Sequence, residues 1–193
     1  IYKNESNSDL RLRGLWALHV TRSLKENDLL AALEDSDEYI RAWSIQLLGE
    51  DKIISSNALQ KFYTMAVNDT SAIVRLYLAA VLQRIPIDDR WEIVSALSQR
   101  SEDKNDHNIP KMIWFAMEPN VAIDVERGLK IGLETKMPII AEYIARRVLD
   151  ANGMEQLLTA IQKPSANQKY LLNGLRNEIE NRSDIKPSDN WKK

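Results

Sequence analysis

The chain has 193 residues, a formal net charge of −2 and no cysteine, and 44% of its residues are hydrophobic. This composition is typical of a folded protein, and the lack of cysteine excludes disulfides, thiolate metal sites and cysteine nucleophiles within the chain. The slightly acidic balance offers no whole-chain basic field for nucleic acid, and no apolar run approaches the ~20 residues that span a bilayer.

The first half of the chain predicts helices, because glycine and proline are scarce and apolar residues recur at helical spacing. In chain order, the predicted helices run over 9–20, from a cap at Asn27 through Leu33, through Ile40 to Leu48, over 57–66, and through Val74 to Leu82. Pro86 stops the last of these, because proline cannot continue a helix.

The second half continues the same rhythm. Asp88 is predicted to cap a helix through Leu97, and the polar stretch 101–108 is predicted to be a loop and the best place for a bend. Pro110 is predicted to lie in the first turn of a helix that ends near Met117. Pro119 is predicted to separate this helix from the next one. Further helices follow over 121–133, 138–148 and 154–161, and from a capping box at 165–168 through Ile179. The sequence therefore predicts an all-α domain of about ten helices over 9–182, after an extended or disordered lead-in (1–8) and before a polar tail (183–193).

A repeated pattern indicates how these helices are organised. The stretch 34–48, which contains Arg41, matches 68–82, which contains Arg75, at a shift of 34 residues and without a gap. A weaker copy surrounds Arg11, at a shift of 30. Repeats of this length are typical of stacked helix pairs, so the sequence predicts a HEAT-like α-α superhelix, that is, a solenoid.

The repeat also selects candidate residues. Arg11, Arg41 and Arg75 are expected to pair with Asp35 and Asp69 of their own or the adjacent repeat in a structural ladder. Aspartates at a turn also accept hydrogen bonds from the amides that begin the next helix. An alternative is that the arginines line an anion site.

Two residues beyond each arginine, a second row contains Arg13, Trp43 and Tyr77. Aromatic and cationic side chains in a row on one face form a candidate surface for a partner. The alternative is that Trp43 and Tyr77 fill the core between repeats.

Motifs that carry chemistry are lacking. The six glycines are scattered singly, the two histidines lie far apart, and neither a His-Glu-x-x-His helix nor a Gly-x-Ser-x-Gly elbow occurs. Ser-x-x-Lys occurs at 101–104 and at 183–186, but in polar stretches without the burial that would activate the lysine. The loop with Asp103, Asn105 and His107 lacks the glycine and glutamate of a calcium loop. The sequence therefore predicts no catalytic, cofactor-binding or metal-binding residue.

Three short phrases carry a resemblance to a known family. They are 10–19 (LRLRGLWALH), 113–119 (IWFAMEP) and 144–147 (IARR). They resemble the HEAT-repeat region of large exported bacterial proteins of planctomycetes, verrucomicrobia and bacteroidetes. In those proteins a dehydrogenase-type β-propeller precedes the repeats, and a c-type cytochrome domain follows them.

The resemblance implies that this chain is a non-catalytic spacer or scaffold between an oxidising and an electron-accepting domain of a longer exported or periplasmic protein. It implies haem c only in a neighbouring domain, since this chain has no Cys-x-x-Cys-His. The expected partners are other domains of the same polypeptide or another protein, without nucleic acid or membrane insertion. The alternatives are a stand-alone adaptor that binds a peptide in its groove, and a HEAT-repeat enzyme such as a bilin lyase or a DNA glycosylase.

Overall fold

The structure is a computed structural model that describes residues 5–182. Within this range the backbone forms eleven α-helices, two short 3₁₀ helices and no β-strand, so the all-α prediction is confirmed. The helices are α1 (Ser8–Val20), α2 (Glu26–Ala32), α3 (Glu38–Leu48), α4 (Ser56–Asn68), α5 (Ala72–Val81), α6 (Ile87–Ser98), α7 (Ile109–Ile123), α8 (Val125–Glu134), α9 (Pro138–Asp150), α10 (Met154–Ile161) and α11 (Gln168–Asn181).

One turn geometry precedes every odd-numbered helix. Asp35 Oδ1 accepts a hydrogen bond from the amide of Asp37 at 2.9 Å, and α3 begins at the next residue. The same three-residue arrangement, in which a side-chain oxygen accepts from the amide two residues later, occurs at Glu5 before α1, Asp69 before α5, Asp106 before α7, Thr135 before α9 and Ser165 before α11. Such side chains make a turn from local hydrogen bonds alone. Six helices therefore begin in the same way, although the residue that makes the turn changes.

The odd-numbered helices pack against one another in the described part of the first compact unit, residues 1–89. Here α3 contacts α1 and α5, while α2 packs on α3 and α4 packs on α5. Leu15, Ile45 and Leu78, one from each odd-numbered helix, are completely buried. Each of these side chains stabilises the fold by roughly 1.5–3 kcal/mol through removal of apolar surface from water.

The described part of the second unit, residues 90–193, repeats this pattern. Helix α9 contacts α7 and α11, and α8 and α10 pack on α9. The backbones of α9 and α11 approach closely at Gly174, where an added Cβ would lie 2.5 Å from the carbonyl oxygen of Glu142. Glycine is therefore required at this crossing.

The division into two units falls between Asp89 and Arg90, within the first turn of α6. The stretch 101–108 lies inside the second unit as a 3₁₀ helix (Ser101–Asp103) followed by a turn. A single domain over 9–182 with a bend at 101–108 stays a prediction. Helix α1 begins at Ser8, the last residue of the expected lead-in, and the expected tail 183–193 lies outside the described residues.

Helix α7 differs from the sequence expectation, because it continues through Pro119 to Ile123 instead of ending near Met117. A proline inside a helix removes one backbone donor and crowds the carbonyls of the preceding turn. The buried Arg90 donates from Nη1 to the carbonyl of Ala116 in that turn, at 3.1 Å. A side chain remote in sequence thus supplies a donor beside the proline, which local patterning does not reveal.

Candidate functional site

The repeated arginines of the first unit connect successive turns. Arg41 donates from Nε and Nη2 to the carboxylate of Asp69, at 2.8 and 2.9 Å, and from Nη1 to the carbonyls of Asp35 and Ser36, at 2.8 and 3.2 Å. The bidentate bond to Asp69 raises the pKa of Arg41. All three guanidinium nitrogens of Arg41 thus already donate to protein acceptors. Few of its N–H donors remain for the anion site that is the alternative interpretation.

The neighbouring rungs follow the same scheme. Arg11 pairs through Nη2 with the carboxylate of Asp35, and the buried Arg75 donates from Nη1 to the carbonyl of Asp69 at 2.9 Å. An arginine therefore bonds the main chain of its own turn (Arg41 and Arg75) or the side chain of the next turn (Arg11 and Arg41). The five residues predicted to form the ladder are connected in this way by hydrogen bonds and ion pairs.

A cap reinforces the turn before α3. Asp37 accepts hydrogen bonds from the amides of Tyr39 and Ile40 at 2.9 and 3.1 Å. Burial alone would raise the pKa of Asp37, but a hydrogen bond from the Ser8 hydroxyl and the two amide bonds outweigh it and lower the pKa. The cap therefore favours the ionised carboxylate.

In the second unit, uncharged side chains perform the function of the ladder. Thr135 Oγ1 donates to the carbonyl of Ser98 at 3.0 Å. The buried Asn167 donates from Nδ2 to the carbonyls of Gly132 and Thr135, at 3.1 and 2.7 Å. Asn167 thus connects the turn before α11 to the turn before α9, and Thr135 connects that turn to the end of α6, without the arginine–aspartate pattern by which the sequence repeat was recognised.

The second predicted row lies on the same helices. Trp43 and Tyr77 are both half-buried, and their ring centroids are 6.2 Å apart. Trp16, also half-buried, meets Trp43 edge-on at 4.8 Å. Arg13 is exposed and makes no ion pair or hydrogen bond with the described residues. The aromatic row of the first unit is therefore Trp16, Trp43 and Tyr77.

The helix starts show a regularity that the sequence motif did not. Arg13, Trp43 and Tyr77 are each the sixth residue of their helix. The sixth residues of α7 and α9 are Trp114 and Tyr143. Sequence reasoning missed these two because the arginine two residues earlier is replaced. Counting from each helix start would have found them.

Trp114 and Tyr143 form a second aromatic pair. Their ring centroids lie 5.3 Å apart with the planes tilted by 42°, and both side chains are half-buried. In each unit, two of the three odd-numbered helices thus have an aromatic residue at the sixth position, and the two rings contact each other. A ring that is partly open to solvent offers a large apolar contact area together with a polar atom.

The described residues contain no arrangement that indicates catalysis by a bound metal. In the range 5–182, no three His, Asp or Glu side chains come together as a metal-ligand set. The first Ser-x-x-Lys match begins in the 3₁₀ helix Ser101–Asp103, and the second lies outside the described residues. None of the described helices is long and apolar enough to cross a membrane.

No family model, curated protein or solved structure matches this chain. The resemblance to HEAT-repeat regions of dehydrogenase-type proteins therefore stays a prediction.

Proposed function

We propose that this chain is a HEAT-like helical-repeat module, a stacked α-α solenoid, that binds a segment of another protein or of a neighbouring domain. The observation that carries the proposal is the recurrence of half-exposed aromatic residues at the sixth position of four of the six odd-numbered helices, Trp43 and Tyr77 in one unit and Trp114 and Tyr143 in the other.

Two physical arguments favour a binding surface. Tryptophan and tyrosine are the residues that most often dominate the binding energy of protein interfaces. The helices that present Trp43 and Tyr77 are connected by the ladder, and the turn that begins the helix of Tyr143 is held by the Thr135 and Asn167 bonds. The surface is thus pre-organised, which lowers the entropic cost of binding. The rings also stabilise the stack by packing on one another, and this role is compatible with recognition.

Selection of a random peptide library on the purified chain tests the proposal. Affinities of the selected peptides are then compared for the chain and for two double variants, Trp43→Leu/Tyr77→Leu and Trp114→Leu/Tyr143→Leu. Leucine keeps an apolar side chain and removes the ring, so the fold is retained, which circular dichroism checks. Loss of a dominant contact of about 2 kcal/mol weakens binding roughly 30-fold in at least one variant.

Phe115→Ala is the matched control, because Phe115 is 55% exposed but occupies the seventh position of α7. Its replacement leaves the affinities unchanged. Peptides that bind both double variants as well as they bind the original chain would refute a partner surface at these rings.

The larger context of the proposal follows from the resemblance alone. We propose that the module separates a β-propeller dehydrogenase-like domain from a c-type cytochrome domain in a longer exported protein. The coding sequence that flanks this segment tests this: it must encode a propeller and a Cys-x-x-Cys-His motif, and a flanking sequence with neither rejects the redox context. The stand-alone adaptor would then be favoured. A HEAT-repeat enzyme would instead be indicated by catalytic turnover that persists in the two double leucine variants.

A further inference from the structure

A pocket of about 230 Å³ opens beside the second aromatic pair, between residues of α7, α9 and α11. Trp114 and Tyr143 form its apolar wall, and Arg146 and Arg147 are among the charged residues around them. We refer to it as the arginine–aromatic pocket. Its volume suits a single side chain or a small organic molecule.

The charges around this pocket cancel. Arg146 Nε donates to Glu178 Oε1 at 2.6 Å, and Arg147 Nε lies 2.5 Å from Glu118 Oε1. Arg182 pairs with Asp150 and lies 3.8 Å from Glu178 Oε2. Three guanidinium groups therefore face three carboxylates, and each carboxylate already has a cationic partner. These three pairs balance in formal charge, so hydrogen bonding rather than net charge is the basis for choosing a ligand.

The unsatisfied groups on the arginines are donors. Neither Arg146 nor Arg147 donates a hydrogen bond from its Nη atoms to any described residue. The Nε of Arg147 is buried and, although close to Glu118, is not aligned with it as a hydrogen bond. Arg146 is about half exposed, with 49% of its side chain accessible, so its free Nη edge is open to a ligand. A guanidinium edge of this kind matches the two oxygens of a carboxylate.

The aromatic wall adds a second requirement. The Tyr143 hydroxyl and the Trp114 indole N–H are further donors without a hydrogen bond to the described residues. The ring faces themselves accept a flat apolar group by stacking. A cation would find ring faces too, but it would have to compete with the three arginines for the same carboxylates.

We propose that the arginine–aromatic pocket binds a carboxylate that is attached to a flat apolar group, as at the terminal carboxylate of an aromatic residue. The ligand's source, a bound protein segment, rests on the function proposed above, whereas the chemistry rests only on the pocket. Two sources share this chemistry: a chain terminus, and an acidic side chain beside an aromatic one.

Titration of the ¹⁵N-labelled chain with small probes, followed by the indole and guanidinium N–H signals, tests the inference. N-acetylphenylalanine represents a chain terminus, and N-acetyl-glutamyl-phenylalaninamide represents an acidic side chain. N-acetylphenylalaninamide removes the carboxylate, and phenethylammonium replaces it with a cation. At least one carboxylate probe binds with a dissociation constant of about 1 mM, as expected for a ligand of this size, and the amide binds at least tenfold more weakly. The probe that binds more tightly identifies the source.

Two substitutions locate the binding. Arg146→Gln abolishes the response at Trp114, and Arg146→Lys restores only part of it, because lysine keeps the charge but loses the planar edge. Arg176→Gln is the matched control, since Arg176 is 71% exposed on α11 and does not line the pocket. Trp114→Leu provides a second test that leaves every ion pair in place, and it also abolishes the response of the guanidinium signals.

Equal binding of the amide, preferred binding of phenethylammonium, or no response to either carboxylate up to 20-fold above the expected constant (~20 mM) overturns the inference. These outcomes are separate from failure of the proposed function. If only the pocket inference fails, library peptides that depend on the rings still bind. If only the proposed function fails, a carboxylate probe binds although no ring-dependent peptide is selected.

Discussion

Removal of the Asp69 carboxylate gives the most direct test of the ladder. Asp69 and Arg41 expose only 8% and 14% of their side chains, and the aspartate accepts from Arg41 Nε, from Arg41 Nη2 and from the amide of Ser71. Asp69→Ala leaves the part-buried guanidinium without its counter-charge and also removes the turn acceptor. Asp69→Asn removes the charge but keeps an oxygen for the Ser71 amide. The two variants therefore separate the ion pair from the turn.

The magnitude follows from these contacts. Removing one partner of a buried ion pair costs about 3–5 kcal/mol. The figure is reduced here because the pair is only part-buried and because Arg41 keeps two carbonyl acceptors, on Asp35 and Ser36. We expect a loss of unfolding free energy of about 2 kcal/mol for Asp69→Asn. For Asp69→Ala the expected loss is about 3 kcal/mol, since an orphaned turn amide costs roughly 1 kcal/mol more. With a urea slope of about 2–3 kcal/mol per molar, the alanine variant lowers the midpoint by about 1 M.

Urea unfolding followed by circular dichroism measures these changes. Lys61→Ala serves as the control, because Lys61 pairs with Glu34 on the surface of the same unit and its loss leaves the midpoint unchanged within error. Combining Asp69→Asn with Arg41→Met removes both charges, so the double variant is less destabilised than the sum of the two single variants. Additive losses, or a control that falls as far as Asp69→Ala, would contradict the buried ladder.

Three further predictions concern other positions. Asn167→Ala removes the buried amide that connects turns in the second unit, and we expect it to lower the unfolding free energy by about 1–3 kcal/mol in the same urea assay. Gly174→Ala places a Cβ against the carbonyl oxygen of Glu142 and destabilises the chain by about 1–3 kcal/mol, the reverse of the usual helix-propensity gain, which a thermal melt detects. The pKa of Asp37 is lowered in the folded state from its ordinary value of 3.8, so the ionised carboxylate stabilises the fold above about pH 4. This stabilisation is lost as the pH falls through the folded-state pKa of Asp37. The difference in unfolding free energy between the original chain and Asp37→Asn is therefore constant near neutral pH and shrinks below pH 4, and a difference that grows on acidification would contradict the assigned direction.

Local patterning accounts for much of the fold. Helical spacing of apolar residues placed α10 at its observed bounds and the start of α9 at Pro138. It misplaced the end of α7, because the donor beside Pro119 comes from Arg90, twenty-nine positions away in sequence. Sequence patterns reflect interactions between residues that are near in the chain. They do not reveal a hydrogen bond between distant residues such as Arg90 and Ala116.

The candidate site divides in the same way. Arg41 and Asp69 were recognisable because both residue types repeat at one spacing. Thr135 and Asn167 connect turns without repeating either type, and the sequence did not single them out. Likewise Trp114 and Tyr143 share the helix position of Trp43, but not the arginine that marked it.

By itself, the sequence determined that the chain is helical and that one turn recurs at Asp35 and Asp69, because these depend on apolar spacing and on hydrogen bonds within a few residues. Only the tertiary structure decided that the Asp69 carboxylate receives two nitrogens of Arg41, and that Arg146 and Arg147 keep free donors beside an aromatic wall. Those properties depend on how side chains from separate helices meet, and packing fixes that through contacts that leave no local mark in the sequence.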